Sequence, residues 1–508
     1  MSLLSSFLQS LGCLLLVISA QFLWTYIRSP IRNIPGPFFA KFTHLWRFFD
    51  VYAGRPELTQ QILHEKYGYA VRLGPNVVSI SDPKLLRTMY NTRGDFLKSK
   101  FYTVNDTKVG SQIIHNVFST LSNEWHSAAL RPIQKFYKMS SLLAQEPLIN
   151  HTIEAFCKRL DEEFVNTGKT CKMDEWMLFF AWDVIGQLTF RRPMGFMDEG
   201  RDHSGLLSTA DKALDYFAAI GQIPELDHWL AKNPIRPIGP PSFDSAAIFC
   251  AQQIAERQQA GEKSSGQPDM LDGFLEIKRA TPEVMDDNAI VGALLVNILA
   301  GADTTAILLR AIVYYTLKNP RVYKKLQEEL GNANLSQPVT YAAASALPYL
   351  DAVVRESARV HPGVGLLLER IVPASGLTLS DGTIVPPGTI VGMNGWVIHQ
   401  DKQIFGQDAA SFNPDRWLRD VASGETEEEF QPRLAMMKAA DLTFGAGNRI
   451  CLGKNISILE TYKVIATLFL NYDMSFVDPQ MKWKVQNSWF VRQSGIDINI
   501  RKRRSLRD

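Results

Sequence analysis

Apolar positions recur along this chain with three different periods, and each predicts a different kind of element. Residues 7–27, FLQSLGCLLLVISAQFLWTYI, are apolar with little interruption, and no charge precedes Arg28. At roughly 1.5 Å per residue such a helix spans about 30 Å, enough to cross a hydrocarbon core. A second long run lies between Thr281-Pro282 and Pro320, and its middle, VGALLVNILAGADTTAILL, is apolar nearly all round. That pattern predicts a helix capped by Thr281, with Pro282 in its first turn, buried through the centre of a domain. Asp286 and Asp287 before it, and Asp303 and Arg310 within it, argue against a second membrane span. Period two predicts strands: AVRLG and VVSIS across a turn at Pro75-Asn76, a hairpin at Asp381-Gly382 in LTLSDGTIVPPGTIV, and IDINI near the end.

From about residue 83 to residue 350 the pattern is mainly helical, broken by the loops RPIGPPS (236–242) and GEKSSGQP (261–268). IPGP at 34–37 is a stiff hinge that cannot continue a helix. The acidic stretch GETEEEF (424–430) reads as a solvated loop. Neither an internal repeat nor a dividing linker is visible. The organisation expected is an N-terminal membrane anchor (1–28), a proline hinge (29–42), and one large α-rich domain with small sheets at its edges (43–508).

The anchor is expected to stay on, since no basic residue precedes the apolar run and no A-x-A site follows it. Trp24 and Tyr26 suit an interfacial belt, and Arg28, Arg32 and Lys41 place the main domain on the cytoplasmic side. The four sequons at Asn105, Asn150, Asn334 and Asn455 should then carry no sugar. The 508 residues, 46% apolar and 21% charged, are ordinary for a packed globular chain. A net charge of +2 gives no basic face for nucleic acid. The basic tail RKRRSLR reads as a solvated terminus near anionic membrane. Five cysteines without pairing or C-x-x-C spacing exclude a disulfide framework and a structural zinc site.

Cys451 is different from the other four. It lies in FGAGNRICLG (444–453), among three glycines and an arginine, just before a run that reads as helix. Glycines let backbone approach a flat cofactor, and amides at a helix start stabilise a thiolate. A thiolate donating electron density to haem iron needs such surroundings. Nucleophilic catalysis is the competing use, but none of the nine histidines carries a local signature of its base. GAGNRI lacks the last glycine and the preceding strand of a dinucleotide fingerprint. In AGADTT (300–305), a buried carboxylate beside a hydroxyl is either a relay for protons or a polar pair whose threonine bonds back to its own helix.

The spacing Phe444-x-x-Gly447-x-Arg449-x-Cys451-x-Gly453 resembles the cysteine loop of cytochrome P450, the haem-thiolate monooxygenases. The likeness extends from the anchor and proline hinge to the C-terminal strands. It implies a mainly α fold with small β-sheets, preceded by one transmembrane helix, and haem b with Cys451 as the iron ligand. Phe444 and Gly445 would belong to the cofactor loop. Asp303 and Thr304 match the family's oxygen-activation motif, an acid-alcohol relay beside a helix irregularity at Gly301. Glu356 and Arg359 of ESAR, with Arg416 of FNPDRW, match a structural Glu-Arg-Arg network. Arg449 and Arg370 match contacts to the haem propionates. The third such contact departs from the pattern: Trp125 and His126 are followed, four residues on, by Ala129 and Leu130 rather than a base. Trp125, His126 and Arg131 are the candidates there.

The resemblance further implies O2, a hydrophobic small-molecule substrate, and electrons from a separate NADPH-cytochrome P450 reductase, since the anchor and single domain use up the chain. Lys135, Lys138 and Lys454 would lend positive charge to the docking side. The substrate would be hydroxylated, epoxidised or dealkylated in a pocket lined from before Trp125, from 293–305, from 364–368 and near Phe490. The location implied is the endoplasmic reticulum membrane, single-pass, with the catalytic domain cytoplasmic. HSAALRPIQKFYKMS and ERIVPASG look closest to fungal pisatin-demethylase-like enzymes of specialised metabolism. The alternatives are a relative that rearranges or dehydrates without inserting oxygen, and a haem-binding protein without turnover. The retained Asp303-Thr304 pair speaks against the latter.

Overall fold

A computed structural model describes residues 2–109, 112–240, 243–260 and 268–503. Most of the GEKSSGQP loop, the end of RPIGPPS and the tail from residue 504 lie outside the described residues. The first helix, α1 (Ser2–Arg28), contains a stretch, Gln9–Arg28, long and apolar enough to cross a membrane. The hinge after it is more than a linker. Ile31 and Ile34 are buried, Arg72 N donates to the Pro35 carbonyl at 2.7 Å, and a Cβ on Gly36 would sit 2.2 Å from the Arg72 carbonyl oxygen. Only glycine fits where the hinge crosses that strand.

The expected strand pair forms as β1 (Ala70–Gly74) and β2 (Val77–Ile80). A short β3 (Leu97–Lys98) precedes three helices that matter for the site: α2 (Asn123–Ile133), α3 (Met173–Phe190) and α4 (Leu206–Ile220). The central helix α5 (Asp287–Lys318) is followed by α6 (Pro348–Val360), β4 (Arg370–Ile371) and β5 (Ile390–Gly392). Then come α7 (Glu427–Ala439), α8 (Lys454–Asn471) and the hairpin β6 (Lys484–Ser488) with β7 (Phe490–Ser494). One sheet runs in the order β1-β2-β5-β4-β3, with only β2 and β5 parallel. The Asp381-Gly382 hairpin forms, with Gly382 at φ +83°, and IDINI supplies the strand Asp497–Lys502.

α3 is buried over almost its whole length and lies along α5, which also packs on α6 and α8. The core is therefore helix on helix, with the sheet to one side. Three sequence expectations are corrected. The central helix starts at Asp287, because Asp286 is the residue whose carboxylate accepts the Ala289 N–H at 2.8 Å. Thr281 instead closes the preceding helix, giving its hydroxyl to the Ile277 carbonyl at 3.1 Å. GETEEEF is not a loop: Thr426 and Glu429 form a reciprocal capping box that starts α7, and its three glutamates favour the helix N-terminus. α5 is an uninterrupted helix through Gly301. A Cβ there would stand 3.0 Å from Ile185 on α3, so the glycine serves close helix approach rather than a break.

Candidate active site

The cysteine loop is a tight turn seated against the chain before β3. Gly445 and Gly447 have φ of +67° and +70°, and Cys451 N donates back to the Phe444 carbonyl at 2.9 Å. A Cβ on Gly447 would lie 2.4 Å from the Tyr90 carbonyl oxygen. The loop thus needs both left-handed backbone and close approach at this residue. Cys451 lies three residues before α8; burial pushes its thiol pKa up, and the Gly453 and Lys454 amides with the Lys454 charge only partly offset that push. Its surface is nonetheless open, so it faces a cleft rather than packed side chains.

α5 carries a second open face. Ala300 is exposed midway along this otherwise packed helix, and Gly301 and Thr304 beside it are half-buried. Residues 363–370 bridge the two walls: Gly363 approaches the Thr304 carbonyl, and the Leu368 side chain approaches Gly445. Thr304 donates to the Ala300 carbonyl at 3.1 Å, the self-bonded arrangement open to it from sequence. Asp303 turns away from the cleft and accepts the Trp182 indole N–H at 3.0 Å. Burial raises its pKa to about 6, and that hydrogen bond only partly offsets the push.

A cationic group occupies one end. Arg449 is held by the Asn123 side chain at 2.9 and 3.1 Å and by the Ser122 carbonyl at 3.1 Å, but its buried Nη1 has no partner. Arg370 donates to the Glu369 carbonyl at 2.8 Å and lies over the Tyr90 ring. Among the described residues neither arginine pairs with a carboxylate. Burial and the Arg370 charge push Arg449 down to about 10. His126 is buried near Arg449, and burial with that charge lowers its pKa to about 4.

The family model for Cytochrome P450 matches residues 35–499. The chain is a cytochrome P450. It is 39% identical over 498 residues to the cytochrome P450 monooxygenase cfoH of Aspergillus candidus, covering 97% of this chain and 92% of the relative. It is 38% identical over 499 residues to cicH of Emericella nidulans, covering 97% of each. A third relative, pkfB of the same species, is 36% identical over 502 residues, with 97% and 96% covered. Cytochrome P450 monooxygenases are oxidoreductases that incorporate oxygen, and their cofactor is haem with a thiolate-ligated iron.

The residues fit that cofactor. An accessible thiol at a helix start, an open face on α5, and an unpartnered buried guanidinium nitrogen beside a second arginine suit iron, ring and propionates in turn. Positive charge buried without a carboxylate is costly until an anion arrives. The Glu-Arg-Arg network forms in full. Glu356 accepts both Arg359 Nε and Nη2 (2.8 and 2.7 Å), Arg416 Nε (2.9 Å), Asn413 N (2.8 Å) and Trp417 Nε1 (2.9 Å). Arg359 also donates to the carbonyls of His399, Ala409 and Ser411.

Not every candidate meets the cleft. Trp125 is 44% exposed on α2, and Arg131 is exposed with no hydrogen bond or ion pair among the described residues. Several residues escaped sequence reasoning. Lys98 reaches the cationic group, and His399 ties the arginine network to the cysteine loop. Phe101, Tyr102, Phe118, Phe217 and Trp489 form an aromatic cluster packed on Val364, Leu366 and Leu368. Trp489 is a non-glycine residue at φ +74° on the tip of the β6–β7 hairpin, an outlier that could be known only from the fold.

Proposed function

We propose that this monooxygenase hydroxylates, epoxidises or dealkylates a hydrophobic small molecule of fungal specialised metabolism, using electrons from a separate NADPH-cytochrome P450 reductase. In this reading residues 1–28 anchor the chain in the endoplasmic reticulum membrane, 29–42 form the hinge, and 43–508 are the catalytic domain facing the cytoplasm. The observation that carries the reading is the open Cys451 thiol in its glycine loop, linked through residues 363–368 to the open Ala300–Thr304 face of α5, with a cleft between them. Its apolar lining, Val364 and Leu368 with the aromatic cluster beyond them, suits an apolar substrate.

Bound haem would supply dioxygen activation, with electron density from the Cys451 thiolate. Arg449 and Arg370 would neutralise its propionates, His126 standing beside them, while Phe444 and Gly445 shape the loop around it. Thr304, its proton held on the Ala300 carbonyl, offers its oxygen to a donor in the cleft. Burial lifts the Asp303 pKa to about 6, which suits it to take and release protons. Its contact with Trp182 means that a side-chain rotation or a water must link it to Thr304. Glu356, Arg359 and Arg416 hold the cysteine loop and touch no reactant. Lys135, Lys138 and Lys454 contribute positive charge on the docking side.

Turnover with reductase and 18O-labelled dioxygen tests this. Label in the product is expected. Product without label sinks oxygen insertion and favours the rearranging alternative. The absence of substrate-dependent NADPH consumption favours a binding protein.

A further inference from the structure

Asp211 and Asp215 lie one turn apart on α4, a like-charge spacing that weakens a helix on its own. Both are taken by one side chain from another element: Arg492 of β7 gives Nη1 to Asp211 and Nη2 to Asp215. The two carboxylates are 55% exposed and the guanidinium 15%. Among the described residues no other hydrogen bond or ion pair joins Leu206–Ile220 to a segment outside residues 202–231. The hairpin is fixed more firmly. Val491 N donates to the Gly363 carbonyl at 3.0 Å, and Asn487 Nδ2 to the Gly365 carbonyl at 2.9 Å.

The clamp and the aromatic cluster join the same two elements. Phe490 and Arg492 leave the same face of β7, and Phe490 packs with the cluster. α4 supplies Leu214 and Phe217 to it, and Phe217 meets Trp489 at the hairpin tip. The cluster lies on Val364, Leu366 and Leu368, in the segment that links the Cys451 loop to α5. The Asp211 and Arg492 charges also reach Asp303, which puts the clamp beside α5. Ion pairs with exposed partners are weak and screened by salt, so this contact can part and re-form. We infer that Arg492 is a positioning residue that sets size selectivity: by clamping α4 to the hairpin it keeps the aromatic cluster closed, and bulky apolar molecules enter the cleft only when the clamp parts. The inference rests on the substrate cleft proposed above. Arg492 touches no reactant in this account and holds no part of the cofactor.

The test uses the full-length, haem-loaded protein, with Arg492→Met, Arg492→Lys and the double variant Asp211→Asn with Asp215→Asn. Binding of imidazole and of a naphthylmethyl imidazole is followed by stopped-flow absorbance. Arg492→Met and the double variant are expected to take up the naphthylmethyl imidazole roughly tenfold faster than wild type, the order expected for losing two exposed ion pairs, with imidazole itself unchanged. Arg492→Lys, which can hold one acid at a time, should fall between. Raising salt from about 20 mM to about 500 mM should speed entry of the bulky probe into wild type and leave Arg492→Met unaffected. Equal entry of the bulky probe into wild type and both charge-deleted forms overturns the inference. So does a salt effect equal in wild type and Arg492→Met. Acceleration of both probes alike, or acceleration in Arg492→Met but not in the double variant, also overturns it and makes Arg492 a packing residue. Wild type that gives no spectral change with imidazole overturns the cleft itself, and the inference with it.

Discussion

His399 accepts the Leu442 backbone N–H on Nε2 at 2.9 Å, two residues before the loop that carries Cys451. Its other ring nitrogen meets the Arg359 carbonyl at 3.1 Å. Since Nε2 accepts, Nδ1 carries the proton and donates, which fixes a neutral tautomer; burial, the main cause, lowers the pKa accordingly. The chain Glu356–Arg359–His399–Leu442 thus ties the arginine network to the start of the cysteine loop. His399→Ala strands a buried N–H and is expected to destabilise by roughly 1–3 kcal/mol, plus a cavity cost. Its thiolate-type reduced carbon-monoxide spectrum should be lost at lower temperature than in wild type. His399→Gln, whose amide oxygen can accept the same N–H, should recover part of both. Wild-type melting and spectrum in His399→Ala would show that the link bears no load.

Gly445 and Gly447 separate two costs that usually occur together. Both have positive φ, worth about 1–2 kcal/mol against any L side chain. A Cβ on Gly445 meets nothing closer than 3.9 Å, whereas on Gly447 it would lie within 2.6 Å of two backbone oxygens, those of Tyr90 and Asn91. Gly445→Ala is therefore expected to fold with haem and melt only a few degrees lower. Gly447→Ala must displace backbone, and haem content per purified chain should fall severalfold. Equal haem content in the two variants would refute this ordering.

What could be read from the sequence was whatever depended on short spacing. The cysteine loop, the Glu356/Arg359 pair and the β1–β2 turn are each set by residues within ten positions of one another. The capping box Thr426-x-x-Glu429 was equally local, but a run of glutamates hid it. Thr281 misled because a threonine followed by proline serves as well to close one helix as to open the next. Lys98, His399 and Trp489 carry no local signal. Lys98 becomes informative only when β3 pairs with β4, more than 270 residues on. Gly301 was visible, but its role is set by Ile185 on another helix.

Thr304→Ala separates proton delivery from cofactor binding. Among the described residues the hydroxyl bonds only to its own helix, so stability should change little. Haem should stay bound, while the share of NADPH electrons appearing in product rather than peroxide falls by roughly a hundredfold, the low end for losing a positioned proton-transfer group. Unchanged coupling would remove Thr304 from the relay.

Trp489 closes the aromatic cluster, with ring centroids 5.4 Å from Phe101, 5.6 Å from Phe217, 5.7 Å from Phe118 and 5.9 Å from Tyr102. Its strained backbone is held by Gly365 N donating to its carbonyl at 3.0 Å. Trp489→Ala is expected to cost about 3–5 kcal/mol of stability if the space stays empty. A bulky imidazole-bearing probe that fills the space should then bind tighter by tenfold or more, while imidazole itself gains nothing. Equal gains for both, read from absorbance titrations, would place Trp489 away from the ligand.

Glu460 gives a pH dependence whose sign can be worked out. It is 1% exposed on α8, and burial raises its pKa to about 8. A hydrogen bond with Thr305, whose hydroxyl also reaches the Gly301 carbonyl at 3.1 Å, only partly offsets that push. In the unfolded chain the carboxyl titrates near 4.5. Between pH 4.5 and 8 the folded protein holds a proton that the unfolded chain lacks, so this group's contribution to stability is greatest below pH 4.5. It declines as pH rises to about 8 and is flat above. Glu460→Gln keeps a donor and cannot ionise. Relative to wild type it should therefore gain stability steadily from pH 4.5 to 8, at roughly 1.4 kcal/mol for each pH unit and by a few kcal/mol in all. Urea midpoints of the two proteins across that range measure the difference. A difference that does not change with pH would mean that Glu460 is ionised in the folded state.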